Sequence, residues 1–424
     1  MNHPIISRLR AGFTRDITLL TYSMFTRRIA MGFIQVVRAI YFAILGYTPL
    51  EVGLLLSTAA FLSALHHMAF GYLCDRYGRK PFLVLGTLFS AARTTLFAVS
   101  TNFWVLALAQ GLGAMGEGVG AGQPVVSGYI TDRVEDRYRA NVYSTLAITN
   151  GLATSIGLAL GGLPKALEAL GYTTVQAHQL LWWACTAINL LSLLFLTPLA
   201  ESNHPRPHNP QPQSRRSTWG TIARFSLVRA TNGLGWGLVD SLMTLYLYQR
   251  FNVGTEVLGP IYSATRLASL LTYAAAPTIA HRLGPVKTIA ATRILSAGAT
   301  LLLALANSFP LAATMLVANR LLILFSMPIR QTFASTIVHP RETATAIGIS
   351  NSARMAMQSA APTIAGYMFE NLSMATPFLA GAALLALNGG LYLTLFKPGG
   401  GEGGNPNQAI QASPSPGKPG NPWD

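Results

Sequence analysis

Apolar residues form long runs along the chain, and short polar or basic segments separate these runs. An α-helix needs about 20 mostly apolar residues to cross about 30 Å of hydrocarbon. Twelve runs meet this requirement, so the pattern predicts an all-α integral membrane protein with twelve transmembrane helices. Their predicted bounds are 24–46, 51–74, 82–100, 103–130, 140–163, 178–198, 227–250, 255–281, 287–306, 310–337, 344–369 and 374–396.

One long polar interruption divides the predicted spans into two groups of six. Residues 199–218 are rich in Pro, Asn, Gln and His, which is typical of a flexible loop. We therefore expect an N-terminal half at 1–198, a cytoplasmic linker at 199–218 and a C-terminal half at 219–397. Residues 398–424 are rich in Gly, Pro, Asn and Ser, and we expect a disordered cytoplasmic tail there.

Basic residues between the spans indicate the orientation. If the N-terminus lies in the cytoplasm, the outer loops hold only Lys165 and Arg250, and the inner loops and tails hold the other basic residues outside the spans. Cytoplasmic loops carry an excess of Lys and Arg. We therefore expect a multi-pass protein of the cell (inner) membrane with both termini in the cytoplasm.

Composition agrees with a membrane protein and excludes several other classes. Hydrophobic residues make up 51% of the 424 residues and charged residues only 11%, against roughly 25% charged residues in soluble domains. The net charge of +15 arises from clusters between spans, so we do not expect nucleic acid binding. Cys74 and Cys185 lie in different apolar runs without a Cys/His cluster, and neither a disulfide nor a metal site is expected.

The two halves resemble each other at an offset of about 205 residues. LGYTPLEVG at 45–53 matches RFNVGTEVLG at 250–259, and GYLCDRYGRK at 71–80 matches PTIAHRLGPVK at 277–287. GLALGG at 157–162 matches APTIAG at 361–366. Parallel repeats of six helices occur in transporters that bind substrate between their halves near the membrane midplane.

The segment at 71–81, GYLCDRYGRKP, resembles the signature between helices 2 and 3 of the major facilitator superfamily, a family of secondary transporters. The resemblance, to a prokaryotic type of member, implies two pseudo-symmetric six-helix bundles that alternate access to a central cavity. It also implies a conformational latch that joins the halves on the cytoplasmic side; otherwise these residues form only a basic turn. The latch residues would be Gly71, Asp75, Arg76, Gly78, Arg79, Lys80 and Arg133.

A second motif fits this family less well. GLALGG at 157–162 resembles the antiporter motif of drug-efflux members, but Leu158 stands where that motif has proline. Pro362 occupies the equivalent position in the second half. The departure weakens an assignment as a drug–proton antiporter without excluding efflux.

Ionisable residues inside the spans are the candidate functional residues, because an arginine at mid-bilayer costs about 2.5–3.5 kcal/mol and needs partners or a wet cavity. The family resemblance selects those on cavity-lining helices. The substrate-pathway candidates are Arg38, Glu117, Asp240, Arg320, Arg330, Arg266 and Arg354. Glu117 and Asp240 are also the candidates for proton coupling, unless each forms a permanent salt bridge. Arg229, near the end of its span, is expected to be an anchor that extends to the membrane surface.

Interior arginines outnumber interior carboxylates, which predicts a cavity suited to an anionic or carboxylate-bearing solute; structural pairing of the arginines is the alternative. We expect a monomeric secondary transporter in the lipid bilayer that moves a small molecule, with protons as a candidate coupling ion and no cofactor. The alternatives are a proton-coupled multidrug or metabolite efflux antiporter and a non-transporting membrane receptor on a transporter scaffold. The sequence contains no recognisable catalytic or nucleotide motif, so an enzyme is not expected.

Overall fold

The computed structural model describes residues 13–116, 122–201, 217–336 and 343–396, and these ranges are helical almost throughout. A 3₁₀ turn at Leu160–Gly162 separates two of the α-helices. The α-helices within these ranges are α1 (Arg15–Ile44), α2 (Pro49–Tyr77), α3 (Lys80–Val99), α4 (Phe103–Gly116), α5 (Gly122–Arg133), α6 (Asp136–Ala159), α7 (Leu163–Ala169), α8 (Thr174–Leu196), α9 (Ser217–Ser241), α10 (Met243–Phe251), α11 (Thr255–Leu283), α12 (Pro285–Leu305), α13 (Phe309–Thr336), α14 (Thr343–Asn371) and α15 (Thr376–Leu395).

Each predicted span coincides with one helix or with two consecutive helices. The span predicted at 103–130 contains α4 and α5, and the span predicted at 227–250 contains parts of α9 and α10. Helix α1 starts earlier than hydropathy predicts, because the Thr14 hydroxyl accepts the Ile17 N–H at 3.4 Å and caps the helix N-terminus. The predicted tail and residues 202–216 of the predicted linker lie outside the described residues.

Six helical segments in the described ranges are long and apolar enough to cross a membrane. They correspond to α3, α6 with α7, α8, α12, most of α13, and α15. The other long helices, α1, α2, α9, α11 and α14, contribute polar side chains to the space between the halves.

The internal repeat is visible in the backbone. Helices α2 and α11 each contain 29 residues, and each ends at a glycine with positive φ: 91° at Gly78 and 81° at Gly284. Glycine adopts this conformation without the steric penalty that a Cβ imposes. The next helix then begins within two residues and carries proline in its first turn. The same turn therefore joins equivalent helices in both halves.

We call the face that contains these two glycine turns the basic face, and the other end of the bundle the opposite face. The halves pack together through α2 against α14 and α6 against α11. A Cβ on Gly53 of α2 would lie 2.3 Å from the carbonyl oxygen of Pro362 in α14. A Cβ on Gly259 of α11 would lie 2.5 Å from the carbonyl oxygen of Leu158 in α6. Glycine is therefore required for the backbones to approach this closely.

Hydrogen bonds close the same α2–α14 contact. Pro362 lacks an N–H and interrupts the helical ladder of α14. The next residue, Thr363, donates both its N–H and its hydroxyl to Ser57 Oγ of α2, at 3.0 and 2.8 Å. Nearer the opposite face, the Glu370 carboxylate accepts the Leu50 N–H at 3.1 Å. The contact holds the halves together at the opposite face.

We predict that Gly53→Ala separates the halves at the opposite face. The added methyl group has no space beside the Pro362 carbonyl, and overpacking of this kind costs about 1–3 kcal/mol. The population closed at the opposite face should fall about 5- to 150-fold relative to the open one. Distances between spin labels at the exposed positions Leu170 and Leu372, in a background without Cys74 and Cys185, measure the change.

Gly298→Ala is the matched control, since a Cβ on Gly298 would meet no atom within 4 Å. This control should leave the label distances unchanged. Unchanged distances in Gly53→Ala would contradict the role of this contact.

Candidate functional site

A cavity of about 330 Å³ lies between the halves, on the basic-face side of the α2–α14 contact. Its size falls within the range of small-molecule binding sites. The contact between residues 49–57 of α2 and 362–370 of α14 lies between the cavity and the opposite face. The next turns of the same two helices, on the basic-face side of this contact, line the cavity. Its polar lining consists of Gln35, Arg38, Ser63, Asp240, Ser241, Thr244, Tyr262, Arg320, Arg354 and Gln358.

An ion pair forms the C-terminal wall. Arg320 Nη2 of α13 lies 2.5 Å from Asp240 Oδ1 of α9. The Arg320 guanidinium also lies over two rings, 4.5 Å from the Tyr262 centroid and 5.7 Å from the Trp236 centroid. The Arg320 side chain is 15% exposed and that of Asp240 is 34% exposed. The aromatic rings hold the arginine in place while the carboxylate keeps access to the cavity.

A helix break sets the position of Asp240. Helix α9 ends at Ser241 and α10 begins at Met243, with Leu242 between them at φ −109° and ψ 11°. Asp240, Ser241 and Thr244 line the cavity around this break. Interrupted helices at mid-membrane are tolerated where their backbone lines a cavity, and transporters bind substrates and ions at such breaks.

Neutral amides bind the other two cavity arginines. Arg38 of α1 donates to Gln110 Oε1 of α4 at 3.2 Å. Arg354 of α14 donates through Nε to Asn351 Oδ1 at 3.2 Å and through Nη1 to Gln358 Oε1. An amide oxygen accepts a hydrogen bond without neutralising the guanidinium.

The cavity is electropositive. Among the described lining residues there are three guanidinium groups and one carboxylate, an excess of two positive charges. Arg38 and Arg320 come from different halves of the chain, so an anion between them would contact both. Guanidinium groups bind carboxylates and phosphates through paired hydrogen bonds.

Two further pathway candidates are not part of the described cavity lining. Arg266 is on α11, one turn beyond Tyr262, and is not part of the cavity lining. Arg330 is on α13, with Nε 3.4 Å from the Ser326 carbonyl oxygen. Glu117 lies outside the described residues. The structure thus brings together Arg38, Asp240, Arg320 and Arg354 of the seven candidates.

The latch candidates at the basic face cluster within the N-terminal half. Arg79 Nε pairs with Asp132 Oδ2 at 2.8 Å, and Arg133 Nη1 pairs with Asp16 Oδ2 at 2.8 Å. Glu201 accepts the N–H groups of Arg79 and Lys80, at 2.9 and 3.4 Å. These contacts join the turn between α2 and α3 to the ends of α1, α5 and α8.

The other latch candidates are Gly78 at the turn and three residues near the end of α2. A Cβ on Gly78 would lie 2.5 Å from Glu201 Oε1, so this position is also sterically restricted. Gly71, Asp75 and Arg76 belong to α2, but their side chains lie outside the described set.

Sequence reasoning based on charge missed the neutral part of the site. Gln35, Gln110 and Gln358 lie within apolar runs, and each lines the cavity or binds an arginine that does. The position of these amide side chains inside predicted spans could have identified them as site residues, because a polar side chain in the membrane also requires a partner. The stacking of Tyr262 on Arg320 had no such signal, because it depends on how α11 packs on α13.

We predict that Asp240→Asn and Arg320→Gln each destabilise the fold more than the double variant does. A single substitution leaves one charge without its partner, whereas the double variant removes both charges. Because the carboxylate is one-third exposed, we expect about 1–3 kcal/mol for each single variant, less than the roughly 3–5 kcal/mol of a fully buried pair. Thermal unfolding of the purified variants measures this.

Arg320→Lys is the control that keeps the charge and loses the planar stacking group, and it should be intermediate. If the loss of stability in the double variant equals the sum of the losses in Asp240→Asn and Arg320→Gln, the two residues are not energetically coupled and the prediction is contradicted.

Comparison with known proteins places this architecture in a family. The chain is 21% identical over 397 residues to the uncharacterized membrane protein YJR124C of Saccharomyces cerevisiae, which covers 84% of this chain and 89% of that protein. It is 22% identical over 245 residues to the quinolone resistance protein NorA of Staphylococcus aureus, which covers 56% of this chain and 60% of NorA.

The structural comparison agrees. A bacterial homologue of the human lysosomal transporter Spinster, in an inward-facing and occupied conformation, superposes with a TM-score of 0.71 at 17% identity, over 89% of this chain and 95% of that one. The family model of the Major Facilitator Superfamily matches residues 20–362 and 225–420. The predicted all-α membrane transporter fold is confirmed, and the chain belongs to the Major Facilitator Superfamily.

Proposed function

We propose that this secondary transporter carries an organic anion with a carboxylate or similar group. The observation that carries the proposal is the excess of arginine among the described lining residues of the central cavity, which include Arg38, Arg320 and Arg354 but one carboxylate, Asp240. Arg320 is paired with that carboxylate, whereas Arg38 and Arg354 line the cavity from different halves of the chain, and these two arginines are the proposed ligands. A guanidinium group within the membrane needs either water or a polar partner, and a bound anion would take the place of the water around Arg38 and Arg354.

The pair Asp240–Arg320 is the proposed coupling site. Protonation of Asp240 would neutralise the carboxylate and release Arg320 from its partner, so that Arg320 becomes available to the anion. The transporter would then bind the proton and the anion in the same conformation. Glu117 is the second proposed coupling carboxylate, and Arg266 and Arg330 are proposed to contribute to the pathway in other conformations.

The basic face is proposed to be the cytoplasmic face of the cell membrane, with both termini on that side and a monomer as the working unit. The described conformation would then be closed towards the outside through Gly53 and Pro362. The latch residues are proposed to join the halves at the basic face in the other conformation. In the present state, Arg79 and Arg133 have acidic partners in their own half.

Proton-coupled efflux of amphipathic compounds is the second candidate function. Similarity to a quinolone resistance protein supports it, although the match is 22% identical and covers 60% of that protein. The two candidate functions differ in the charge of the cargo. A lipophilic cation would use Asp240 as its counter-ion, whereas an anion would use Arg38 and Arg354.

We predict that organic anions stabilise the purified protein and are taken up by proteoliposomes, and that Arg38→Gln and Arg354→Gln each reduce uptake at least tenfold. Each substitution removes a charge-assisted hydrogen bond to the anion, which is worth about 1.5–3 kcal/mol. Arg282→Gln, exposed at the end of α11, is the matched control and should retain uptake. Stabilisation by lipophilic cations alone would reject the anion proposal in favour of efflux.

We predict that Asp240→Asn abolishes the response of uptake to a pH gradient, since the amide cannot take up the proton. Exchange of labelled for unlabelled anion without a gradient should persist at a reduced rate. Uptake by the wild-type protein and by Asp240→Asn, with and without a gradient, provides the test. A gradient response that survives in Asp240→Asn would exclude Asp240 as the coupling residue.

A further inference from the structure

Arginine side chains continue from the central cavity towards the basic face, along the interface of α9 and α14. Arg229 Nη2 donates to Asn351 Oδ1 at 3.1 Å, and Arg354 Nε donates to the same oxygen at 3.2 Å. Arg354 also lines the central cavity. One guanidinium group is therefore common to the cavity and to this second cluster.

The backbone fixes the geometry of the cluster. A Cβ on Gly233 of α9 would lie 2.3 Å from the Arg354 carbonyl oxygen, so the two helices are in direct backbone contact. Arg229 lies one turn before Gly233 on α9, and about 16 Å along the helix from Asp240 at a rise of 1.5 Å per residue. The cluster is thus rigidly held and lies closer to the basic face than the Asp240–Arg320 pair.

The cluster has unused hydrogen-bond donors. The buried Nε of Arg229 has no hydrogen-bond partner within the described part of the chain. Arg293 of α12 is only 1% exposed, its Nε and Nη1 also have no partner there, and its charge acts on that of Arg229. Among the described residues, no carboxylate pairs with Arg229, Arg293 or Arg354.

This arrangement is electrostatically incomplete. Two guanidinium groups converge on one neutral amide oxygen. Repulsion between like charges increases as water is excluded. An anion at this position would accept the unused donors and offset the repulsion, as carboxylates and phosphates do when they bind to guanidinium groups.

We infer that Arg229, Arg354 and Asn351 form a second anion-binding station, which a carboxylate or phosphate group of the cargo occupies between the central cavity and the basic face. The inference rests on the proposed anionic cargo. Arg354, shared by both sites, would pass the anion from one to the other. This proposed binding role differs from the anchor role that the sequence predicts for Arg229.

Isothermal titration of citrate into the full chain in nanodiscs of phosphatidylcholine counts the sites. The wild-type protein should bind two citrate ions, and Arg229→Gln should bind one with full affinity, the second being weakened at least tenfold. Arg229→Lys should restore part of the second affinity, because it keeps the charge. Arg224→Gln, exposed five residues earlier on α9, is the control and should bind two.

The outcomes separate this inference from the proposed function. One citrate site that is lost in Arg38→Gln and unchanged in Arg229→Gln would overturn the second station and leave the anionic cargo intact. A lower unfolding temperature for Arg229→Gln with two intact sites would assign Arg229 a structural role and likewise overturn it. Absence of any citrate or inorganic phosphate binding would contradict both proposals.

A phospholipid phosphate has the same chemistry as the proposed ligand, so the titration is repeated in nanodiscs that contain phosphatidylglycerol. The second citrate site should be unaffected by the anionic lipid. Competition by phosphatidylglycerol at the site that depends on Arg229 would assign the station to a lipid headgroup and reject its role for the cargo.

Discussion

The high cost of a charged guanidinium group in hydrocarbon is the constraint on which this structure depends. Insertion of an arginine at mid-bilayer costs about 2.5–3.5 kcal/mol, so each interior arginine requires a position between helices and a set of acceptors. Arg320 meets this requirement with a carboxylate and two aromatic rings, whereas Arg38 and Arg354 meet it with amides. Helices that carry these groups face the space between the halves.

Glycine supplies space for other arginine side chains and for the contact between the two halves. The side chain of Arg79 passes where a Cβ on Gly128 would lie, and Arg93 fills the position of a Cβ on Gly113. At the opposite face, glycines bring α2 and α14 into backbone contact, and the same contact closes the cavity on that side. Charge placement and closure of the cavity therefore both depend on glycines, although on different ones.

The sequence predicts the architecture better than it predicts the site. Hydropathy and the repeat locate the helices, because burial in lipid imposes a length and composition that a single segment displays. Arg38, Asp240, Arg320 and Arg354 were identifiable as costly charges, and they do meet at one cavity. Hydropathy does not encode the packing between distant segments. Three features arise from such packing: the stacking of Tyr262 on Arg320, the break at Leu242 and the sharing of Asn351 by two arginines.

The cavity is proposed to bind an anion between the two halves. Crystals grown with a brominated aromatic carboxylate would locate such an anion directly through anomalous scattering. We expect a bromine peak inside the cavity, with the carboxylate within hydrogen-bond distance of Arg38 and Arg354. A cavity that stays empty with the carboxylate but binds a brominated lipophilic cation against Asp240 would contradict it.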